Sequence, residues 1–225
     1  MMIVFDDVTH YTKGPAGHGR AILLAVNLIV PSNRHIVLFG DPVDYIRTVI
    51  DLMVGAITPN AGRVIRRARV SFPAGETRIF IPEISVRANI QHIARLYAAD
   101  HRAVVRYVEE VIDIGPLFDE PYGSLAKDTR KMLSHIVAYS IPFQTYILAE
   151  AIRGGRGGLN EVARELLRAR IEGSGLIVPT RDMTFAHEFC DSAILLRDHK
   201  LHAFENVDDA TKASKAADRS IARHG

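Results

Sequence analysis

Residues 35–55, HIVLFGDPVDYIRTVIDLMVG, decide how this chain folds. His35–Gly40 reads as a buried apolar strand that ends in glycine. Residues 41–48, DPVDYIRT, form a connection. The run VIDLMVG that follows reads as a short amphipathic helix, predicted over Thr48–Val54 and closed by Gly55. A strand, a loop opening on glycine and a helix form the frame in which Gly-x-x-x-x-Gly-Lys-Ser/Thr holds nucleotide phosphates. Laid on that frame, the second glycine falls at Tyr45, the lysine at Ile46 and the hydroxyl at Arg47; Gly40 and Thr48 alone match. Pro42 has no N–H to offer. Val43 and Tyr45 stand where glycines would let a loop wrap an anion. Asp41 and Asp44 add negative charge beside the seat.

Outward from this stretch, short apolar runs alternate with helical periods. Strands are predicted at Ile3–Phe5, Ala21–Ile29, His35–Phe39, Val64–Phe72, Tyr146–Leu148, Leu176–Val178, Ala193–Leu196 and Leu201–Phe204. Further helices are predicted at Val86–Ala98, Ala103–Ile114, Lys127–Ser140, Leu159–Glu172, Thr184–Phe189 and Val207–Ala217. Short apolar strands separated by helices imply a parallel sheet covered on both faces, hence an α/β fold. The N-terminal third is strand-rich and about 85–140 is almost wholly helical. The 225 residues suffice for one domain with a subdomain, and a polar tail at about 212–225 is expected to fray.

The 28 basic and 26 acidic side chains nearly cancel, which gives no support to a polyanion-binding role. The single Cys190 excludes an intrachain disulfide. No run approaches the length of a membrane span, so a cytoplasmic protein is expected, with peripheral docking at the inner face of the membrane as a variant. RGGRGG at 153–158 and RRAR at 66–69 read as a loop and a solvated edge, not as nucleic-acid contacts. His10, His18 and His35 lack metal-ligand spacing.

Six stretches carry a resemblance: NAGRV at 60–64, VSFP at 70–73, the run from Arg87 to Asp100, VEEVIDIGPLFDEP at 108–121, FQTYILAE at 143–150, and EFCDSAILLRDHKLHAFENVDDA at 188–210. In these the chain resembles the nucleotide-binding subunit of ABC transporters, within them the subfamily that powers capsular or O-antigen polysaccharide export. The resemblance spans about residues 3–213. It implies an ABC-ATPase-like core, with a mixed sheet and a parallel sheet flanked by helices, plus a helical subdomain at about 85–140, all in one domain.

By position, the resemblance puts the family's phosphate lysine at Ile46 and its Mg²⁺-binding hydroxyl at Arg47 or Thr48. The glutamine that senses the γ-phosphate falls at Ile81. The Leu-Ser-Gly-Gly-Gln signature falls at Leu125, Ala126, Lys127, Asp128 and Thr129. The Mg²⁺-side aspartate falls at Ala149 and the catalytic glutamate at Glu150. The next loop's aspartate falls at Arg156 and the switch histidine at Arg181. Tyr11 takes the place of the aromatic that stacks on adenine.

So many replacements lead to the expectation of a pseudo-ATPase. In that reading no residue is catalytic, no cofactor is bound, and the protein is a regulatory, scaffold or non-catalytic subunit of polysaccharide export. Its partners would be a permease, an intact ATPase paralogue or a second copy of itself, with no nucleic acid. Three alternatives stand beside it: a working ATP-binding subunit with atypical motifs, using ATP and Mg²⁺; a stand-alone interaction protein; and a binder of some other anion at Gly40.

Overall fold

The computed structural model of the chain describes residues 1–12, 19–152 and 159–221. Among the described residues, eight strands and seven helices follow one another as β1 (Met2–Tyr11), β2 (Ala21–Pro31), β3 (His35–Gly40), α1 (Val43–Val54), β4 (Ala61–Arg66), α2 (Val86–Leu96), α3 (His101–Val111), α4 (Lys127–Ser140), β5 (Thr145–Ile147), α5 (Leu159–Ile171), β6 (Gly175–Pro179), α6 (Met183–Phe189), β7 (Ser192–Arg197), β8 (Lys200–Phe204) and α7 (Val207–Ile221). Two 3-10 turns, Gly115–Asp119 and Tyr122–Ser124, link α3 to α4.

Two sheets form. β1 lies between β2 and β4 in an antiparallel sheet. The other sheet has the order β5-β6-β3-β7-β8, parallel except for β8 at its edge. The unbroken apolar run of β3 follows from its central place, since both of its faces are covered. Ile36 and Leu38 pack with Ile46, Val49, Ile50 and Met53 of α1 and with Ile3 and Phe5 of the antiparallel sheet. Val37 and Phe39 point the other way, onto Ala186 of α6 and Val207 and Ala210 of α7. A third cluster joins α2, α3, α4 and α5 to Tyr146 of β5 and to Leu148 just past it.

The last helix runs on to Ile221, past the predicted end at Ala217 and into the stretch expected to fray, and three other predicted elements differ. The predicted strand over Val64–Phe72 ends at Arg66. Beyond it the chain runs alongside β5: the Ser71 amide donates to the Thr145 carbonyl at 3.0 Å and the Ala74 amide to that of Ile147 at 2.8 Å. β1 is longer than predicted, because register shifts after Phe5 let it keep pairing as far as Tyr11. Most important for the site, α1 starts at Val43 and not at Thr48. Pro42, at φ −69°, presets the entry, and Ile46 joins Val49, Ile50 and Met53 on one apolar stripe.

RRAR proves largely structural. Arg66 donates through Nε to the Met53 carbonyl at 2.7 Å and through Nη2 to that of Leu52 at 2.5 Å, closing the C-terminal end of α1. Arg69 donates to the Tyr97 carbonyl at 2.7 Å. RGGRGG and His18 lie outside the described residues. Among the described residues no helix is long and apolar enough to cross a membrane, and no group of three or more His, Cys, Asp or Glu is placed to hold a metal ion.

Candidate functional site

A cavity of about 480 Å³ opens at the carboxyl ends of the parallel strands. Ligands of open α/β sheets bind at such edges. β3 brings Leu38, Phe39 and Gly40; α1 brings Val43, Asp44, Ile46, Arg47, Ile50 and Asp51. The segment running beside β5 contributes Pro73, Gly75, Glu76, Thr77 and Arg78. Lys131 reaches in from α4, Ala149 and Glu150 follow β5, and Pro179, Thr180 and Arg181 close β6.

Gly40 is required where it stands. Its φ is +150°, and a Cβ there would sit 2.2 Å from the Leu196 carbonyl oxygen of β7. Asp41 and Pro42 alone separate it from α1. The early helix therefore occupies the chain length that a phosphate-wrapping loop would use. The Tyr45 amide is already spent on the Pro42 carbonyl at 3.0 Å. Nor does any side chain cap the helix start.

Positive charge reaches the cavity by another route. Arg47, Arg78, Lys131 and Arg181 come from four segments far apart in sequence. Each is paired. Arg47 and Arg78 share Glu76, at 2.5 and 2.9 Å. Lys131 meets Glu150. Arg181 meets Asp41 and also donates to the Gly40 carbonyl at 3.1 Å. Burial alone would raise Glu76, but hydrogen bonds from the Arg78 guanidinium and amide, with the charges of Arg78 and Arg47, hold its carboxyl below the ordinary range.

Behind this wall the Ser134 hydroxyl donates to the Glu76 carbonyl at 2.7 Å and accepts from the Gly75 amide at 3.1 Å. A Cβ at Gly75 would lie 2.8 Å from His135 Nε2, and Gly75 has φ +92°. His135 Nδ1 lies 3.1 Å from the Tyr139 hydroxyl, and burial pushes the ring down to about 4.

Of the residues picked out from sequence, the structure gathers Gly40, Ile46, Arg47, Ala149, Glu150 and Arg181 around the cavity. Ile46 is buried against the core, so it lines the cavity without offering polarity. Thr48 does not line it, and its hydroxyl makes a long 3.4 Å contact to the Asp44 carbonyl. Tyr11 ends β1 in the antiparallel sheet and is not among the lining residues. The same holds for Ile81, and for Leu125, Ala126, Lys127, Asp128 and Thr129 at the start of α4. Arg156 lies outside the described residues. The sequence reading missed Glu76, Arg78 and Lys131. Gly75, in the turn PAGE, was the one available signal for the first two.

Comparison with known proteins agrees with the resemblance. The polysialic acid transport ATP-binding protein KpsT of Escherichia coli is 25% identical over 209 residues, 92% of this chain and 93% of that one. ATP-binding protein BexA of Haemophilus influenzae is 24% identical, over 85% and 88% of the two chains. The capsule polysaccharide export ATP-binding protein CtrD of Neisseria meningitidis is 23% identical, over 72% and 76%. No protein-family model matches. Among solved structures, a dimeric ATP-binding cassette in a post-hydrolysis state with ADP and Pi superposes with a TM-score of 0.73 at 15% identity, covering 92% of this chain and 99% of that one. The ATP-binding subunit of an ABC transporter gives 0.74 at 16%, covering 95% and 93%. The fold is that of an ABC ATPase domain.

The expectation that the chain is not an enzyme is corrected by these findings. Its curated relatives are ATP-binding proteins, its fold neighbours are ATP-binding cassettes, and nothing in either comparison sets it apart as inactive. The expectation counts the lost positions of one loop, whereas the cavity is lined from four separate segments by Arg47, Arg78, Lys131 and Arg181, alongside Asp44, Asp51, Glu76 and Glu150. The expectation of no cofactor finds no support in these comparisons, whose members are ATP-binding proteins.

Proposed function

We propose that this chain, similar to polysaccharide-export ATP-binding proteins along nearly its whole length, is the ATP-binding subunit of a polysaccharide ABC exporter with an atypical set of phosphate-binding residues. The observation that carries this is the set of four cations around a cavity at the carboxyl edge of the parallel sheet. A triphosphate fits that donor set. Arginine is always charged and offers a planar fork that matches phosphate oxygens. Arg47, Arg78, Lys131 and Arg181 would hold the phosphates, in place of the backbone cradle that α1 does not leave room for. Mg²⁺ commonly arrives with phosphates and takes one or two protein carboxylates; Asp44, Asp51 and Glu150 line the cavity for that role, Glu76 being held by Arg47 and Arg78. When bound, the ion supplies charge neutralisation on the phosphates. Glu150, just past β5, is the carboxylate this reading assigns to the attacking water.

The same reading places the protein at the cytoplasmic face of a membrane, partnered by a permease and pairing with a second ATP-binding subunit. Its partner-facing surface is assigned to Ile81–Ser85, where Ile81 is 41% exposed.

The test is a melting curve with Mg-ATP, alone and with the co-expressed permease. Ligand at 100 times its Kd stabilises by about 2.7 kcal/mol. For a chain of this size that is a rise on the order of 5–10 °C. No rise with Mg-ATP, and no ATP turnover in the assembled complex, would overturn the proposal.

A further inference from the structure

We propose that Asp41 is a built-in counter-ion that occupies Arg181, and that the cavity takes its anion by exchanging Asp41 for a polyphosphate. The inference rests on the reading of this cavity as a nucleotide site. Asp41 follows β3 and Arg181 follows β6, and these strands are parallel neighbours with Leu38 opposite Pro179. The pair therefore straps the ends of two adjacent strands at the cavity edge. One Arg181 nitrogen serves both the Asp41 carboxylate and the Gly40 carbonyl. Arg181 lines the cavity, whereas Asp41 is not among its lining residues.

Among the cavity's ion pairs this one is the easiest to exchange. Glu76 is 17% exposed and serves two arginines, so it stays with them. Glu150 is 61% exposed and Asp41 75%. An exposed pair is weakly held and strongly screened. Releasing Arg181 leaves its fork free for phosphate oxygens in a cavity that Arg47 and Arg78, sharing one carboxylate, also line. A triphosphate carries more negative charge than a monophosphate and gains more from several cations around one cavity, so the exchange favours polyphosphates.

The experiment measures binding of ATP, inorganic tripolyphosphate and inorganic phosphate by calorimetry without added metal. The proteins are the wild type, Asp41→Asn, Arg181→Gln, the double variant and Asp44→Asn. Asp44 lines the same cavity and forms no ion pair among the described residues, so it reports the general effect of removing a negative charge. Asp41→Asn is expected to tighten tripolyphosphate and ATP by up to about fivefold, the scale of one exposed pair, with inorganic phosphate little changed. In the Arg181→Gln background that gain should vanish. A gain that persists without Arg181, or one no larger than that of Asp44→Asn, overturns the exchange while leaving the nucleotide site standing. If no form of the protein binds ATP or tripolyphosphate, the nucleotide site itself is wrong and the exchange falls with it.

Discussion

Asn89 offers the sharpest test of how the surface at Ile81–Ser85 is held. It is wholly buried on α2. Its Oδ1 accepts from the Ile81 amide at 2.7 Å, and its Nδ2 donates to the Ile81 carbonyl at 2.9 Å. Longer contacts reach the Ser85 and Ile84 carbonyls at 3.2 and 3.3 Å. An amide has two hydrogens for these three acceptors, so the two short bonds to Ile81 carry most of the energy. At about 1 kcal/mol each, with a further penalty for groups left unpaired, Asn89→Ala should cost about 2–3 kcal/mol. Water reaches the Ile81 side and limits the penalty. Urea unfolding measures this as a lower midpoint at constant slope. Amide exchange should accelerate over 81–85, while the Mg-ATP melting shift is retained because Asn89 does not line the cavity. A loss below about 0.5 kcal/mol would refute the argument. It would mean that the Phe80–Tyr122 stack at 4.6 Å and the Gly123 amide bond to the Pro82 carbonyl at 2.9 Å hold the segment unaided.

Three other outcomes are expected. Gly40→Ala forces a Cβ onto the Leu196 carbonyl at 2.2 Å in a backbone conformation that favours glycine; it should cost about 3 kcal/mol, and a melting temperature within a degree or two of wild type would contradict the geometry. His135 is held neutral to about pH 4 when folded but titrates near its ordinary value when unfolded, so the unfolded chain binds the extra proton and stability falls as pH drops through that window, by up to about 3 kcal/mol; His135→Asn should flatten that slope, and an unchanged slope assigns the acid loss elsewhere. Ile81→Asp should abolish co-purification of the permease with little effect on folding, because Ile81 is already 41% exposed; undiminished capture of the permease removes this segment from the interface.

The strands of the parallel sheet were legible because a strand buried on both faces must be apolar throughout, and HIVLFG has no other use. The start of α1 was not. DPVDY looks like loop chemistry residue by residue, yet Pro is at home at a helix start and Asp44 suits a first turn. The tertiary stripe of Ile46, Val49, Ile50 and Met53 then decides where the helix begins. The stretch 67–72 read as the continuation of a strand because its chain is extended. As far as Ala74 it makes only isolated bridges to β5, at Val70–Thr145 and Ala74–Leu148, and no local pattern distinguishes that from a full strand. Gly40, Arg47, Glu150 and Arg181, singled out by the phosphate-loop frame and the family resemblance, do line the cavity. Glu76, Arg78 and Lys131 were not legible, since their meeting depends on long-range contacts such as that of Ser134 with Glu76.

On the proposed reading, the early start of α1 also explains why this cavity would bind phosphates through side chains. A helix that begins at Val43 sets Val43, Arg47 and Asp51 one turn apart, and all three line the cavity. Had the first turn remained a loop, its amides would face the ligand and residue 47 would be positioned by that loop. Instead the backbone is committed to the helix, and the nearest donor from this element is a guanidinium on a long stem. Such a donor is adaptable and always charged, but free in water it would sample many rotamers. Glu76 removes that freedom by holding Arg47 and Arg78 together, and the Ser134 hydroxyl fixes the Glu76 backbone in turn. The carboxylates of the cavity thus preorganise the cations as well as offset them. On this argument Glu76→Gln weakens polyphosphate binding even though it removes a negative charge, the opposite sign to Asp41→Asn. A gain in affinity on Glu76→Gln would show that the carboxylate merely competes with the ligand.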